Sequence, residues 1–500
     1  MRKTLYNYLS SRKLRRHPEF KIRAKELLDY AGVDYSKCSQ DVLEKLDSNV
    51  TGVYKAGTAS ADNYICVQVL NESKDTLRKT ISDGALFVIA DAPIDDCPCI
   101  VVPDPKAVFS KLCSWFKNLS GVRTTAVTGS IGKTTTKGMI NSVYRQKFRT
   151  YSDPGNENIL HSTGYIVQHI PDKTEQYIQE VSETPIGSAG YISRMISPDV
   201  VVITSVDKSH IGVFHSVENL EKEIISVASG MNPGGGYVIA NVHDHRLYEP
   251  LSSAHRVITI SDGDKSATYY ADDVCVTKDG LQFNVVASES GQKARVMLKG
   301  IYARHNILSA LYAYACGVLS GMSVDQIVKG LGAYRTRGIR QNIFSTLNRC
   351  IVYADCYNAV AKSIRSAIET MDTIPVTRRL AVLGDIAEAG EMTTSSHDEI
   401  MEIVNKSRIQ ILYILGPELE AAYKRSTCRK DLIVKPLKSH QEVSVALRND
   451  IQRGDMILFK SSRSGRLEKC IRKCWPLSFN WQVMIYKYNY MKWRINSRFN

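Results

Sequence analysis

Five hundred residues exceed what one ordinary core holds, so two to four domains are expected at roughly 100–200 residues each. An apolar fraction of 43% excludes a wholly disordered chain, and the formal charge of +14 is concentrated at the two ends. Residues 1–25 carry nine Lys/Arg against Glu19 alone, and residues 475–500 carry Lys487, Lys492, Arg494 and Arg498 with no acid, which leaves only +2 for the body. Basic ends of this kind suit an anionic surface or are simply solvated faces. From Trp475 the tail interleaves aromatics with its cations, including Tyr486, Tyr488 and Tyr490. That pattern suits weak contact with a membrane surface or an edge strand packed on the last domain. Nothing else points to nucleic acid, and none is expected as a partner.

The twelve cysteines form no CxxC pair and scatter through apolar runs, as reduced core thiols of a cytoplasmic protein would. The basic start lacks the apolar stretch of a signal peptide, and no run reaches the roughly 20 apolar residues of a membrane span.

In chain order, residues 1–50 read as charged helix and loop. Short strands follow, among them Tyr64–Leu70 and Ala85–Ala90, then a helix over Lys106–Leu119. At residue 123 the pattern changes to strand, Gly-containing loop and helix, with further strands at Val200–Thr204 and Tyr237–Ala240. The stretch 255–299 reads as strands and turns, followed by helices at about 305–320 and from Ser323. From about 336, strands (CIVYAD, RRLAVLGD, ILYILG, DMILFKS) alternate with helices, which argues for a mostly parallel sheet. The expected architecture is α/β in three domains: 1–120, a central nucleotide-binding domain over 121–335 with a parallel sheet, and a Rossmann-like domain over 336–474. The tail 475–500 follows.

The most informative stretch is Gly129-Ser130-Ile131-Gly132-Lys133-Thr134-Thr135. It is shorter than the common phosphate loop, but the mechanics are the same. Glycines let backbone N–H groups turn toward an anion, and the helix opening at Lys133 offers its positive end to phosphate. Lys133 balances β- and γ-phosphate charge, and the Thr134 hydroxyl suits Mg²⁺. The loop alone implies nucleotide binding, without deciding between kinase, ATPase and ligase.

The version T-G-S-I-G-K-T-T, Thr128 to Thr135, resembles the nucleotide loop of the Mur ligase family, and further matches follow in that family's order. They are Glu183 with E-T-P-I-G-S-A-G, the strand VVITSVDKSH ending in His210, and the helix start GIYARHNILSAL. Next come Arg340 fifteen residues before Asp355, then Cys-Tyr357-Asn358-Ala359, LAVLGDIAEAG with His397 downstream, and LFKSSRSGRLE. The resemblance covers about residues 80–470. It implies an ATP-dependent carbon–nitrogen ligase that forms an amide through an acyl-phosphate. The Y-N-A, V-L-G-D-x-x-E-x-G and K-x-S-R signals resemble the branch that adds D-alanyl-D-alanine to a UDP-muramoyl-peptide in peptidoglycan synthesis.

By the same resemblance Lys133, Glu183 and His210 are the expected catalytic residues, with Thr134, Glu183 and His210 holding Mg²⁺. His305 and Asn306 are expected to face the adenine, and Arg340 and Asp355 to approach the ATP. Asn156, Asn158, Tyr357, Asn358, Lys460 and Arg463 are expected on the acceptor and the incoming amino acid or dipeptide, whose carboxylate suits an arginine fork.

The chain also departs from the family pattern. The family's carbamylated lysine falls at Ile224, with Lys222 two residues earlier, and the substrate loop Gly155–Thr163 keeps about half of its usual residues. Two other readings therefore stand beside the first. One is a Mur-like ligase acting on a different carboxylate, as in surface-polysaccharide synthesis. The other is a non-enzymatic nucleotide-binding scaffold. The oligomeric state is left open.

Overall fold

The computed structural model describes residues 22–58, 62–154, 157–206, 214–232, 235–277, 279–336, 339–357, 359–387 and 393–479. Asn156, His210, Asn358, the basic start through residue 21 and the tail from residue 480 lie outside them. The chain divides into two compact units, one of Met1–Tyr270, Ser288–Ser290 and Leu308–Gly330, the other of Ala271–Ala287, Gly291–Ile307 and Leu331–Asn500.

Besides a two-stranded antiparallel pair, Ile22–Arg23 with Asn49–Val50, the first unit holds two larger sheets. The smaller has four parallel strands in sequence order: β1 (Val53–Lys55), β2 (Tyr64–Val67), β3 (Ala85–Ala90) and β4 (Cys99–Val101). All of β2 and β3 is buried, as the unbroken apolar runs YICV and ALFVIA require of strands covered on both faces. Helix α1 (Pro105–Leu119) follows. Asp104 caps it, accepting from Ala107 N–H at 3.0 Å, and Pro105 occupies the first helical position, where no N–H is needed.

The larger sheet of this unit includes six parallel strands: β5 (Arg123–Thr128), β6 (Thr150–Ser152), β7 (Gln176–Glu180), β8 (Val200–Ile203), β9 (Tyr237–Asn241) and β10 (Arg256–Ser261). Their spatial order is β10-β9-β8-β5-β7-β6. From β5 the chain goes to the edge strand β6, returns to β7 beside β5 and then crosses to β8 on the other side of β5, so the winding reverses there and a topological switch point lies at the carboxyl end of β5, where open α/β sheets bind ligands. Helix α2 (Lys133–Tyr144) leaves from that end. Helix α3 (Leu160–Val167) packs against α1 at Gly164, where a β-carbon would come within 2.4 Å of the Phe109 ring. Helices α4 (Ser188–Ile196) and α5 (Val217–Ile225) also belong to this unit, and Ser216 caps α5 by accepting from Asn219 N–H at 3.2 Å.

The second unit contains the antiparallel pair β11 (Gly280–Ala287) and β12 (Lys293–Lys299). It also holds a six-stranded sheet of β13 (Asn342–Ser345), β14 (Ile351–Asp355), β15 (Arg379–Gly384), β16 (Ile411–Leu415), β17 (Ile433–Pro436) and β18 (Met456–Lys460), in the order β13-β14-β18-β15-β16-β17. Only the β13–β14 pair is antiparallel. The alternation expected from residue 336 onward is thus a mostly parallel sheet. Trp475 and Phe479, at the root of the aromatic tail, are buried in this unit's core, and Trp475 Nε1 donates to Asn348 Oδ1 at 3.1 Å.

Among the described residues no helix is long and apolar enough to cross a membrane. The cysteines are free thiols, and burial pushes Cys66, Cys316 and Cys470 up to about 12, so they stay protonated and serve as small apolar residues.

Candidate active site

The loop between β5 and α2 is shaped by two glycines with positive φ. Gly129 has φ 117°, and a β-carbon there would lie 2.3 Å from Thr204 Oγ1 and 2.9 Å from Ser205 N, so only glycine fits. Gly132, φ 89°, is the N-cap of α2 and offers no side chain to its first turn. The loop is tied to the segment after β8, with Ser130 N–H donating to Ser205 O at 2.7 Å and Thr204 Oγ1 to Thr128 O at 3.0 Å. The hydroxyl oxygens of Thr128 and Ser130 are buried without a hydrogen-bond partner among the described residues. Uncapped helix N–H groups beside orphaned hydroxyls form a cradle for an anion, and the residues present fit a nucleotide's phosphates.

Lys133 is folded back over this cradle. Its Nζ donates to Gly129 O, to Ser130 O at 3.3 Å and to Glu183 Oε2 at 2.7 Å. Glu183, expected as a metal ligand, is thus the counter-ion of the loop lysine.

A different carboxylate meets the Thr134 hydroxyl. Parallel pairing of β5 with β7 sets Val127 opposite Glu180, which brings the Glu180 side chain to the mouth of the loop. Thr134 Oγ1 donates to Glu180 Oε2 at 3.0 Å, and Asn158 Nδ2 donates to Oε1 at 3.1 Å. Lys137, one turn along α2 from Thr134, lies with its Nζ 3.3 Å from Glu180 Oε2 and 2.5 Å from Asp153 Oδ2. Asp153 Oδ1 accepts the Glu180 backbone N–H at 2.8 Å.

All three charged side chains are buried. Against burial, which lowers it, Asp153 and Glu180 hold the Lys137 ammonium above its ordinary pKa. Burial raises Asp153, and the Glu180 charge adds to that against the opposing pull of Lys137. One buried ammonium thus lies between two buried carboxylates. Oxygen donors with surplus negative charge suit a hard divalent ion, so Thr134 and Glu180 fit Mg²⁺.

Helix α5 buries Ile224 and exposes Lys222, so the lysine that stands nearest the family's carbamylated position faces solvent. Its neighbour Glu223 accepts from Gly187 N–H and Ala189 N–H, each at 2.8 Å, and braces the N-terminus of α4.

A second cluster lies in the second unit. Lys460 Nζ pairs with Asp355 Oδ2 at 2.5 Å, and both residues are buried. Asp355 Oδ1 accepts the Gln341 backbone N–H at 3.1 Å. The Gln341 side chain joins His305 Nε2 at 2.7 Å and Asn306 Nδ2 at 3.2 Å, and Asn306 Oδ1 is buried without a partner among the described residues. The Arg340 guanidinium stacks 3.3 Å from the centre of the Tyr357 ring. His305, Asn306, Arg340, Asp355, Tyr357 and Lys460, expected from motifs over 150 residues apart, thus share one neighbourhood. Arg463 lies apart from this network and pairs with Glu468 at 2.6 Å.

The sequence reading missed Lys137, Asp153, Glu180 and Gln341. Lys137 and Thr134 share a helix face, and Glu180 closes the strand beside the loop strand, so both carried a signal in spacing and strand end.

A parallel sheet with a phosphate cradle at its switch point defines a nucleotide-binding α/β protein. The Mur ligase middle domain model matches residues 127–316, and the Mur ligase glutamate ligase domain model matches residues 339–463. The chain belongs to the Mur ligase family, whose members are ATP-dependent ligases. Among curated relatives, the UDP-N-acetylmuramoyl-tripeptide–D-alanyl-D-alanine ligase of Bacillus subtilis is 27% identical, over 78% of this chain and 84% of the relative. The enzyme of the same name from Escherichia coli is 24% identical, over 80% of this chain and 88% of the relative. Among solved structures, MurF from Acinetobacter baumannii superposes with TM-score 0.76 at 20% identity, over 91% of this chain and 99% of that one. MurF ligase from Thermotoga maritima, in complex with ADP, gives 0.71 at 20% identity, over 83% and 94%. At that identity the structural likeness speaks for the fold.

Proposed function

We propose that this chain is an ATP-dependent amide ligase that joins D-alanyl-D-alanine to a UDP-muramoyl-tripeptide in peptidoglycan synthesis, working in the cytoplasm. The observation that carries the reading is the extent of likeness to curated enzymes of that name, about four-fifths of this chain, together with the cradle of Gly129, Gly132, Lys133 and Thr134.

The chemistry follows from a poor electrophile. A carboxylate does not yield its oxygen to an amine at neutral pH. In the reading offered, the acceptor carboxylate takes the γ-phosphoryl group of ATP and releases ADP. The amine then attacks the acyl-phosphate carbon, and the tetrahedral intermediate expels phosphate and leaves the amide. The chain's own groups hold and neutralise. Loop N–H groups and Lys133 receive phosphate charge, and Lys133 leaves Glu183 to do so. Thr134 and Glu180 would hold Mg²⁺, which supplies charge neutralisation between phosphates when bound. His305, Asn306, Arg340 and Asp355 are assigned to the nucleotide; Tyr357, Lys460 and Arg463 to the incoming dipeptide. Asn156, His210 and Asn358 keep the roles the resemblance implies, as proposals.

Phosphate release from ATP tests this directly. Turnover that requires both UDP-muramoyl-tripeptide and D-alanyl-D-alanine is the expected result. Turnover with neither, or with another carboxylate in place of the tripeptide, overturns it. The second reading, a ligase for a different carboxylate, is favoured by one observation. Asn158, from the loop expected to handle the acceptor, is spent on Glu180.

A further inference from the structure

We propose that Gln341 is a positioning residue that fixes the His305 ring and the Asn306 amide in one hydrogen-bonded orientation for the nucleotide. The inference deepens the assignment of His305 and Asn306 to the nucleotide above and rests on it.

The orientation follows outward from one unambiguous acceptor. Ala303 O can only accept, so the Asn306 atom 3.1 Å from it is the amide nitrogen. The same nitrogen lies 3.2 Å from the Gln341 side chain, which therefore turns its oxygen toward Asn306. The Gln341 nitrogen is then the atom 2.7 Å from His305 Nε2, and it donates. A ring nitrogen that accepts carries no proton, so the imidazole proton sits on Nδ1 and is donated to Ser366 Oγ at 2.9 Å. The Asn306 amide nitrogen is thereby spent on protein acceptors. Its buried oxygen, without a partner among the described residues, is left as an acceptor for a ligand N–H. Gln341 is itself held at the backbone, where its N–H donates to Asp355 Oδ1 at 3.1 Å, while Asp355 Oδ2 pairs with Lys460 Nζ at 2.5 Å. Its φ is 47°, in the left-handed region that favours glycine. A long amide where glycine would be less strained argues that the side chain, rather than the turn, has the task.

Gln341→Gly removes the amide and suits the left-handed backbone. ADP binding to the full chain, measured by titration calorimetry, is expected to weaken about tenfold, with the melting temperature kept within a few degrees. Nitrogen NMR of isotope-labelled histidine rings, above the imidazole titration range, reads the tautomer. The His305 signal is identified by its loss in His305→Gln. Wild type is expected to show a bare Nε2 and a protonated Nδ1. Gln341→Glu keeps the acceptor for Asn306 but sets a carboxylate against Nε2, which is expected to gain a proton. A role in packing alone moves neither signal. A wild-type ring protonated on Nε2 alone overturns the proposal, and so does an Nε2 that stays bare in Gln341→Glu. Asn306→Ala tests the reading beneath it. If that variant binds ADP as wild type does, the assignment of the pair to the nucleotide falls. If Asn306→Ala weakens ADP binding while Gln341→Gly does not, only the role of Gln341 falls.

Discussion

The ammonium of Lys133 sits 2.7 Å from Glu183 Oε2, inside the cradle that it would share with phosphate. A nucleotide entering the loop must take this lysine from a carboxylate that is 3% exposed. Binding of a nucleotide through Lys133 would therefore cost this ion pair. Glu183→Gln is expected to lower the KM for ATP several-fold with the Mg²⁺ titration unchanged. A raised Mg²⁺ requirement in that variant would return Glu183 to the metal.

Lys133→Ala removes the charge that meets the phosphates. The expected outcome is loss of ATP-dependent product with thermal stability kept within a few degrees, because the loop lysine contributes little to any core. Phosphate release and a melting curve on one preparation check both halves.

Lys460 and Asp355 form a buried pair, and a buried pair that loses one member leaves the other charge stranded. Lys460→Met should destabilise the chain by about 3 kcal/mol in a urea titration, whereas Asp355→Asn with Lys460→Met together should cost less. Equal losses for single and double variants would contradict the pairing.

Ile224 belongs to the apolar core of the first unit. Ile224→Lys would bury an ammonium there, at a cost on the order of 3 kcal/mol. The variant should melt well below wild type, and added bicarbonate should not restore it. A stable variant whose turnover rises with bicarbonate would show that the position reaches the site.

His161 supplies a pH signature. Burial, with a smaller contribution from the Lys55 charge, lowers its imidazole from 6.5 to about 4. Between those values the unfolded chain takes up a proton that the folded chain refuses, so this group's contribution to stability declines as pH falls from 6.5 toward 4. His161→Gln should flatten that part of the pH dependence of the melting temperature.

The strands were legible because parallel strands buried on both faces must be continuous apolar runs. Ala85–Ala90 was placed residue for residue, and Val200–Ile203 to within one residue. The phosphate loop was legible because glycine, lysine and hydroxyl must be adjacent in sequence to act together. Glu180 was not, because its task depends on which residue of β7 pairs with Val127, and Glu183 three positions later carries the same functional group. Lys137 and Asp153 meet only when β6 and α2 converge, so neither had meaning alone. Gln341 was overlooked for a similar reason: its amide matters only through His305 and Asn306, 36 and 35 residues away.

The pairing of Val127 with Glu180 also bears on transplantation. Successive residues of β7 point to opposite faces, so a slip of one position would bring Gln179 or Val181 to the loop mouth and turn Glu180 away. The Gly129–Thr135 peptide grafted onto another scaffold would carry a phosphate cradle and no acid for its threonine. The smallest portable cassette is thus β5, α2 and β7 in register, with Asp153 at the end of β6. In a chimera or a circular permutant, the cut points that preserve the site are those that leave the pairing between these strands intact, whatever becomes of the connections between them.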